Sequence, residues 1–444
     1  CLAIVLLCVT ALAGSPDSFD WPQWRGPQAN GVADAEANPP VKWSETSNVR
    51  WKAAIPGFGT SSPVIWGHRI FILSARPAEK PDGPPNNPAA PVEARPGRGG
   101  GRGNSFGIEK PVQPYEFLAL CFDRASGKLL WQKTVCVEVP HEGHHKDHGF
   151  ASASPVTDGQ RVYAWFGSRG LYCYDLEGRP LWQKRFGRME TRNSFGEGSS
   201  PALHGQRLFI LWDHEGEDFL AALDKETGEE LWRQKREEPT GWTTPFVWES
   251  QGRSEVMVNG TQRIRSYDTA TGKPLWECGG MTANPIPTPV VGGGLAYFLS
   301  GYRGSSLLAI KLGRAGDLTG TDAIAWRHAK GTPYVPSPLL YQGRLYFFSG
   351  NNAMISCFDA KTGQPHYEAE RLEGIFGVYA SPVGAADRVY AAGRDGKTAV
   401  LKAGPTLQVL AINALEDRFD ASPAAVGREL FLRGHKFLYC LAEP

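Results

Sequence analysis

The chain lacks most of what would let it grip a polyanion, cross a bilayer or carry a redox centre. Across 444 residues, 47 Lys and Arg face 46 Asp and Glu. With no basic excess to neutralise phosphates, nucleic acid is excluded as a partner and an anionic membrane surface is unsuited. No CxxC or CxxCH motif occurs, which removes a zinc ribbon and covalent haem. The longest apolar run, Leu2 to Ala13, falls well short of the roughly 20 residues a spanning helix needs, so no transmembrane segment is read. Methionine is scarce, at 4 residues, whereas 52 Gly, 34 Pro and 14 Trp are present. That is too many turn-formers for a helical bundle and too many aromatics for a disordered chain. Many short strands joined by turns remain.

Ala11-Leu12-Ala13 before Gly14 fits the small-residue cleavage pattern of a secretory signal. Residues 1–13 are therefore read as a signal peptide with a truncated start, residues 14–48 as an N-terminal extension, and the protein as exported, periplasmic or secreted. Of the six remaining cysteines, Cys121, Cys173, Cys357 and Cys440 sit in one repeated apolar context. Equivalent positions in separate repeat units lie too far apart to bridge, so buried free thiols are expected.

Internal periodicity decides the fold class. Ser/Thr-Pro recurs at Pro63, Pro155, Pro201, Pro245, Pro289, Pro338, Pro382 and Pro423, in steps of 92, 46, 44, 44, 49, 44 and 41 residues. A second element follows: Asp123–Trp131, Asp175–Trp182, Asp224–Trp232 and Asp268–Trp276 share the form Asp-x-x-Thr-Gly-x-x-x-Trp or a near variant, with weaker copies at Trp326 and Asp359–Tyr367. A period of about 40–50 residues carrying four short strands marks a propeller blade. The last unit stops at Leu441 without its Trp strand, and Val49-Arg50-Trp51-Lys52 supplies one at the other end. The reading is all-β: an eight-bladed β-propeller of four-stranded antiparallel blades over residues 49–444, closed by the N-terminal strand pairing with the last blade, which removes an open edge. The long first step contains residues 76–114, Pro/Gly-rich and nearly devoid of strand formers, read as a disordered insertion in blade 1.

The repeated Asp-x-x-Thr-Gly-x-x-x-Trp element resembles the repeat of pyrroloquinoline-quinone (PQQ)-type propellers, which include the quinoprotein dehydrogenases and the BamB-type outer-membrane assembly factors. Trp21–Pro27, Thr332–Pro338 and Tyr379–Val383 look like the exported PQQ-like propellers of uncharacterised function. The resemblance implies PQQ and calcium as cofactors of the enzyme branch. The dehydrogenases' vicinal Cys-Cys pair is missing here, since no two cysteines are adjacent, and no stretch aligns to their calcium ligands.

In a four-stranded meander the B–C turns and the D–A connections (from one blade's last strand to the next blade's first) open on one face. That face is chemically diverse, while the A–B and C–D turns are stereotyped, so function is expected on the diverse face. Asp213, His214 and Glu215 offer acid–base groups, and Arg303 and Arg394 suit an anionic ligand. Trp242, Tyr334 and Tyr379 belong to a set of aromatics preceding the Ser/Thr-Pro pairs. That set either lines the channel mouth, suited to stacking on a flat or sugar-like ligand, or wedges between blades. His144, His145 and His148, in the stretch 141–148, are candidate metal ligands. No catalytic constellation is read. The leading expectation is a non-catalytic binding scaffold for a protein, glycan or small-molecule ligand. The alternatives are a PQQ/calcium-dependent oxidoreductase and a BamB-like envelope assembly factor.

Overall fold

The computed structural model describes residues 20–79, 107–250 and 252–444. Residues 1–13, read as a signal peptide, and most of the stretch 76–114 lie outside them. Among the described residues the strands form eight sheets, each built on an antiparallel four-stranded meander. Blade 1 comprises Val64–Trp66, Arg69–Pro77, Tyr115–Asp123 and Leu129–Glu138. Blade 8 comprises Ala424–Val426, Glu429–Arg433, Phe437–Ala442 and, as its outer strand, Val49–Ala54 from the other end of the chain. Lys52 is paired with Tyr439 and Trp51 with Cys440, so the ring closes as expected. The second strand of blade 1 runs two residues into the stretch 76–114, with Arg76 opposite Glu116 and Pro77 opposite Tyr115.

The repeat has a mechanical meaning. In the Asp-x-x-Thr-Gly turns the Asp Oδ1 accepts the N–H and hydroxyl of the Thr three residues on, as in Asp268–Thr271 and Asp359–Thr362. The glycine that follows has positive φ and receives the outer-strand Trp of the preceding blade. A Cβ on Gly228 would come within 2.6 Å of the Trp182 ring, so only glycine fits. The indole then donates Nε1–H to a carbonyl of the same turn: Trp51 to Arg124, Trp131 to Leu176, Trp182 to Lys225, Trp232 to Thr269 and Trp326 to Ala360, at 2.9–3.2 Å. Trp51 is the N-terminal strand's residue, so it ties blade 8 to blade 1 a second time.

Trp276 of blade 4 is the exception. Blade 5 replaces the tight turn with a longer connection that lays Gly316–Asp317 parallel to Trp276–Glu277. Trp276 instead donates to the buried Glu255 at 2.9 Å.

The six cysteines among the described residues are unpaired, and all but the half-buried Cys136 are buried. Burial pushes the Cys121, Cys136 and Cys173 thiols up to about 12, as expected of small apolar fillers.

Candidate functional site

The Ser/Thr that precedes each blade's proline opens the innermost strand. There its hydroxyl accepts the backbone N–H of the equivalent residue one blade back. Ser62 N–H donates to Ser154 Oγ, Ser154 to Ser200, Ser200 to Thr244, Thr244 to Thr288, Thr288 to Ser337, Ser337 to Ser381, Ser381 to Ser422 and Ser422 to Ser62, at 2.9–3.1 Å. The result is a closed hydrogen-bonded girdle around the axis. Proline next in sequence costs nothing, because it is the residue before it whose N–H is needed.

The extension before residue 49 crosses one end of this channel. Trp21 exchanges backbone hydrogen bonds with Ile65 of blade 1, and Pro22 O accepts from Thr157 of blade 2. Arg25 then donates to Pro338 O of blade 6. Blades 2 and 6 are opposed in an eight-membered ring, so residues 22–25 pass over the axis. The segment continues past Gly384 of blade 7 to Gly427 of blade 8. Trp24 Nε1–H reaches Ser422 Oγ of the girdle at 3.4 Å. Arg25 is buried without a carboxylate partner among the described residues, and burial pulls its guanidinium down to about 9.

Above that floor, on the face of the B–C turns and D–A connections, lies a cavity of about 310 Å³. Its base is the girdle and its walls carry Phe195, Trp242, Tyr302, Tyr334 and Tyr379. Tyr302 and Tyr334 stack with centroids 4.9 Å apart at 26°. Burial raises the Tyr334 phenol to about 12, so it stays protonated. Trp242 is held by its Nε1–H donating to Gly196 O at 2.7 Å.

The loop carrying 141–148 leans over this mouth. Asp147 Oδ1 accepts from Arg394 at 2.6 Å and from Arg418 at 3.1 Å, and its Oδ2 accepts from the Tyr379 hydroxyl at 3.2 Å. Asp420 binds the same two arginines at 2.6 and 3.3 Å, and His435 at 2.9 Å. The Arg394 guanidinium lies 3.6 Å from the Tyr379 ring centroid. A loop between blades 1 and 2 is thereby tied to blades 7 and 8.

Of the residues singled out from sequence, Trp242, Tyr334, Tyr379, His145 and His148 line this cavity. Arg394 stands directly behind Tyr379 and Asp147. Arg303 is exposed, its guanidinium 5.4 Å from the Tyr302 ring. Asp213, His214 and Glu215 are not on this cavity's lining, and protein partners engage all three. Asp213 holds Arg236 through two bonds of 2.8 and 3.0 Å, both side chains being buried. Burial raises the Asp213 carboxyl to about 6, an effect the Arg236 charge opposes. His214 Nδ1 accepts Glu190 N–H, and Glu215 accepts from Thr240. Among the remaining aromatics, Phe419 is core and Phe150 packs on Tyr115 and Phe117.

His144, His145 and His148 do not gather their ring nitrogens. His144 Nδ1 meets the His145 carbonyl, His145 Nδ1 accepts Asp147 N–H, and His148 Nδ1 meets Ser152 Oγ. Burial lowers His148 to about 4. The group whose ligand atoms do lie within 4.8 Å of one another is His141, Glu142 and Glu197. Each of these is already engaged, with the Met189 carbonyl, Thr191, and Ser168 plus Arg169 respectively. The two glutamates border a cavity of only about 30 Å³. Burial lifts Glu142 to about 7.

Calcium asks for six to eight oxygen ligands. Among the described residues, the carboxylates on the channel-mouth cavity's wall are Asp147 and Asp420, each committed to two arginines. The residues present do not fit a calcium-bound, carboxylate-bearing quinone.

The family described as outer membrane protein assembly factor BamB matches residues 118–240 and 177–403, together more than half the chain. The chain belongs to this BamB-like, PQQ-repeat propeller family. Solved structures similar to this BamB-like chain include BamB from Moraxella catarrhalis, at 15% identity over 73% of this chain and 93% of that one, with a TM-score of 0.53. The quinohemoprotein alcohol dehydrogenase of Comamonas testosteroni is 10% identical over 95% and 80%, with a TM-score of 0.60. A europium-containing methanol dehydrogenase is 10% identical over 94% and 89%, also at 0.60. At such identities the likeness is one of fold. No curated protein matches the sequence. Among the described residues, no helix is long and apolar enough to cross a membrane.

Trp24 and the girdle hydroxyls went unread as site residues. Ser/Thr-Pro was legible as punctuation, but nothing local says that a hydroxyl 44 residues away is its partner.

Proposed function

We infer that the protein is an exported, non-catalytic binding module that seats a ligand in the mouth of its channel. The observation that carries this reading is the cavity of about 310 Å³ with aromatic walls, a hydroxyl base and a floor made by Trp24. It falls at the low end of the roughly 300–1,000 Å³ typical of ligand sites, and mixes apolar walls with a few polar groups as such sites do. The wall aromatics are held in place: Trp242 by Gly196 O, Tyr379 by Asp147 and Arg394, Tyr334 by Tyr302. A preformed surface of this kind loses little freedom on binding.

Small-molecule libraries screened by tryptophan fluorescence would test it, because Trp24 and Trp242 both report on the cavity. Saturable quenching that Trp242→Ala abolishes is the expected result, and quenching indifferent to that substitution refutes the reading. Export is tested by fractionating cells that produce the native precursor; a cytoplasmic product contradicts it.

A protein partner on the same rim is the second reading. It draws on the BamB-like family and on Phe376, 65% exposed between Arg371 and Lys397 in the connection from blade 6 to blade 7. Envelope crosslinking that is unchanged by Phe376→Ala would count against it.

A further inference from the structure

If the channel mouth is a binding site, as inferred above, its wall narrows the chemistry of the occupant. Two carboxylates reach the cavity, Asp147 and Asp420, and Arg394 and Arg418 each contact both. A charged ligand that pairs with any of these four groups must therefore displace a partner it already has, and the buried Asp420 carboxylate resists that most.

The girdle adds a second constraint. Ser62, Ser154, Ser200, Thr244, Ser381 and Ser422 line the cavity. Each accepts a backbone N–H from a neighbouring blade. Among the described residues, none of these six hydroxyls donates its own proton to a protein acceptor. A purely apolar occupant would strand those donors away from water, which is costly. An occupant rich in hydroxyl and ether oxygens would satisfy them.

The walls add a third. Phe195 and Trp242 lie 6.3 Å apart, tilted by 39°, and Tyr302 stacks on Tyr334. These ring faces suit a ligand with an apolar C–H face. An uncharged ring with C–H faces and an oxygen-rich edge answers all three constraints.

We propose that the channel mouth binds a neutral pyranose sugar, its C–H face against the Trp242 and Tyr302–Tyr334 walls and its hydroxyl edge toward the Ser/Thr girdle. The same ring chemistry occurs in a free monosaccharide and at the end of a glycan.

The test titrates the full chain with methyl glucoside, galactoside, mannoside and N-acetylglucosaminide, with the matching tetrasaccharides, and with pyrroloquinoline quinone plus calcium, by calorimetry and saturation-transfer NMR. At least one neutral pyranoside should bind. Its affinity should hold within about twofold from about 50 to about 500 mM NaCl, as expected without an ion pair. Trp242→Ala should weaken it about tenfold or more. Trp242→Phe keeps an aromatic ring at that position and should restore most of the affinity, which separates a lost wall from a misfolded protein. Equal affinity for methyl glycoside and tetrasaccharide assigns a free sugar, and a stronger tetrasaccharide assigns a glycan terminus. Binding of the carboxylated quinone alone, lost in Trp242→Ala, overturns the sugar while leaving a binding module. Silence from every probe overturns both.

Discussion

At one end of the channel the chain crosses the axis between Pro22 and Arg25. At the other, the connections of successive blades border a cavity of about 310 Å³. The closed end is made by a segment outside the repeat, using buried Trp21 and Arg25, backbone hydrogen bonds to blades 1, 2, 7 and 8, and the Arg25 guanidinium's bond to blade 6. The other is made by the repeat itself, wherever a blade's D–A connection departs from its neighbours'. Near-symmetric blades leave a hole on their axis, and an asymmetric segment must fill whichever end is to be shut. Polar groups on the two sides of the ring also divide their labour: some turn inward to the channel, and others, such as Asp213, brace the blades from within.

Breaking that division is the first way to test it. Asp213→Ala should lower the unfolding free energy by about 3–5 kcal/mol, because it strands the Arg236 charge in the interior. Denaturant titration would show this, while ligand affinity of the folded fraction stays unchanged. A stable variant that has lost binding would return Asp213 to the site. At the sealed end, Trp21→Ala should cost a similar 3–5 kcal/mol through the cavity it leaves. A loss below about 1 kcal/mol, within the usual range for surface changes, would mean the plug is an ornament of the ring and not part of its core.

The mouth should respond to acid. The folded pKa of His148, about 4, lies below the value near 6.5 of an unfolded chain. The unfolded state therefore binds the extra proton between those values, and stability present above pH 6.5 is lost as pH falls toward 4. His148→Gln should remove about 2 kcal/mol of that acid-side loss, read from melting temperatures of both proteins at pH 7.5 and 4.5. Parallel curves would show that His148 is not buried at neutral pH as described. The smallest effect belongs to Tyr379→Phe. It deletes the hydroxyl bond to Asp147 but leaves the ring under Arg394, and should cost about 1 kcal/mol or less. A larger cost would mean that the Asp147 tie, and not the packing around it, holds the loop over the mouth.

The fold was legible because every blade repeats the same local chemistry. Ser/Thr-Pro, an Asp–Thr–Gly turn and an outer Trp recur at near-constant spacing, and the lone Trp51 strand upstream matches the gap at Leu441. The site was legible in part. Trp242, Tyr334 and Tyr379 were visible as aromatics at equivalent positions, and a ring architecture brings equivalent positions together. Asp213-His214-Glu215 lies off the channel-mouth cavity, and a carboxylate beside an imidazole looks the same in sequence whether it serves a ligand or braces an arginine. Arg236 lies on the other side of its blade's hairpin, 23 residues on, and no spacing rule links the two. The His-rich stretch misled for a related reason. Consecutive loop residues point in different directions, so density of imidazole along the chain is not density in space.

Sequence alone determined the count of blades, their strand order and the place of closure, since these follow from short-range patterns repeated eight times. Tertiary structure decided which end of the channel is shut, which hydroxyls form the girdle, and that Asp147 faces arginines from blades 7 and 8. Those partnerships span 41 to 398 residues, and at such separations only the folded geometry selects one pairing from the many that the same residue types permit.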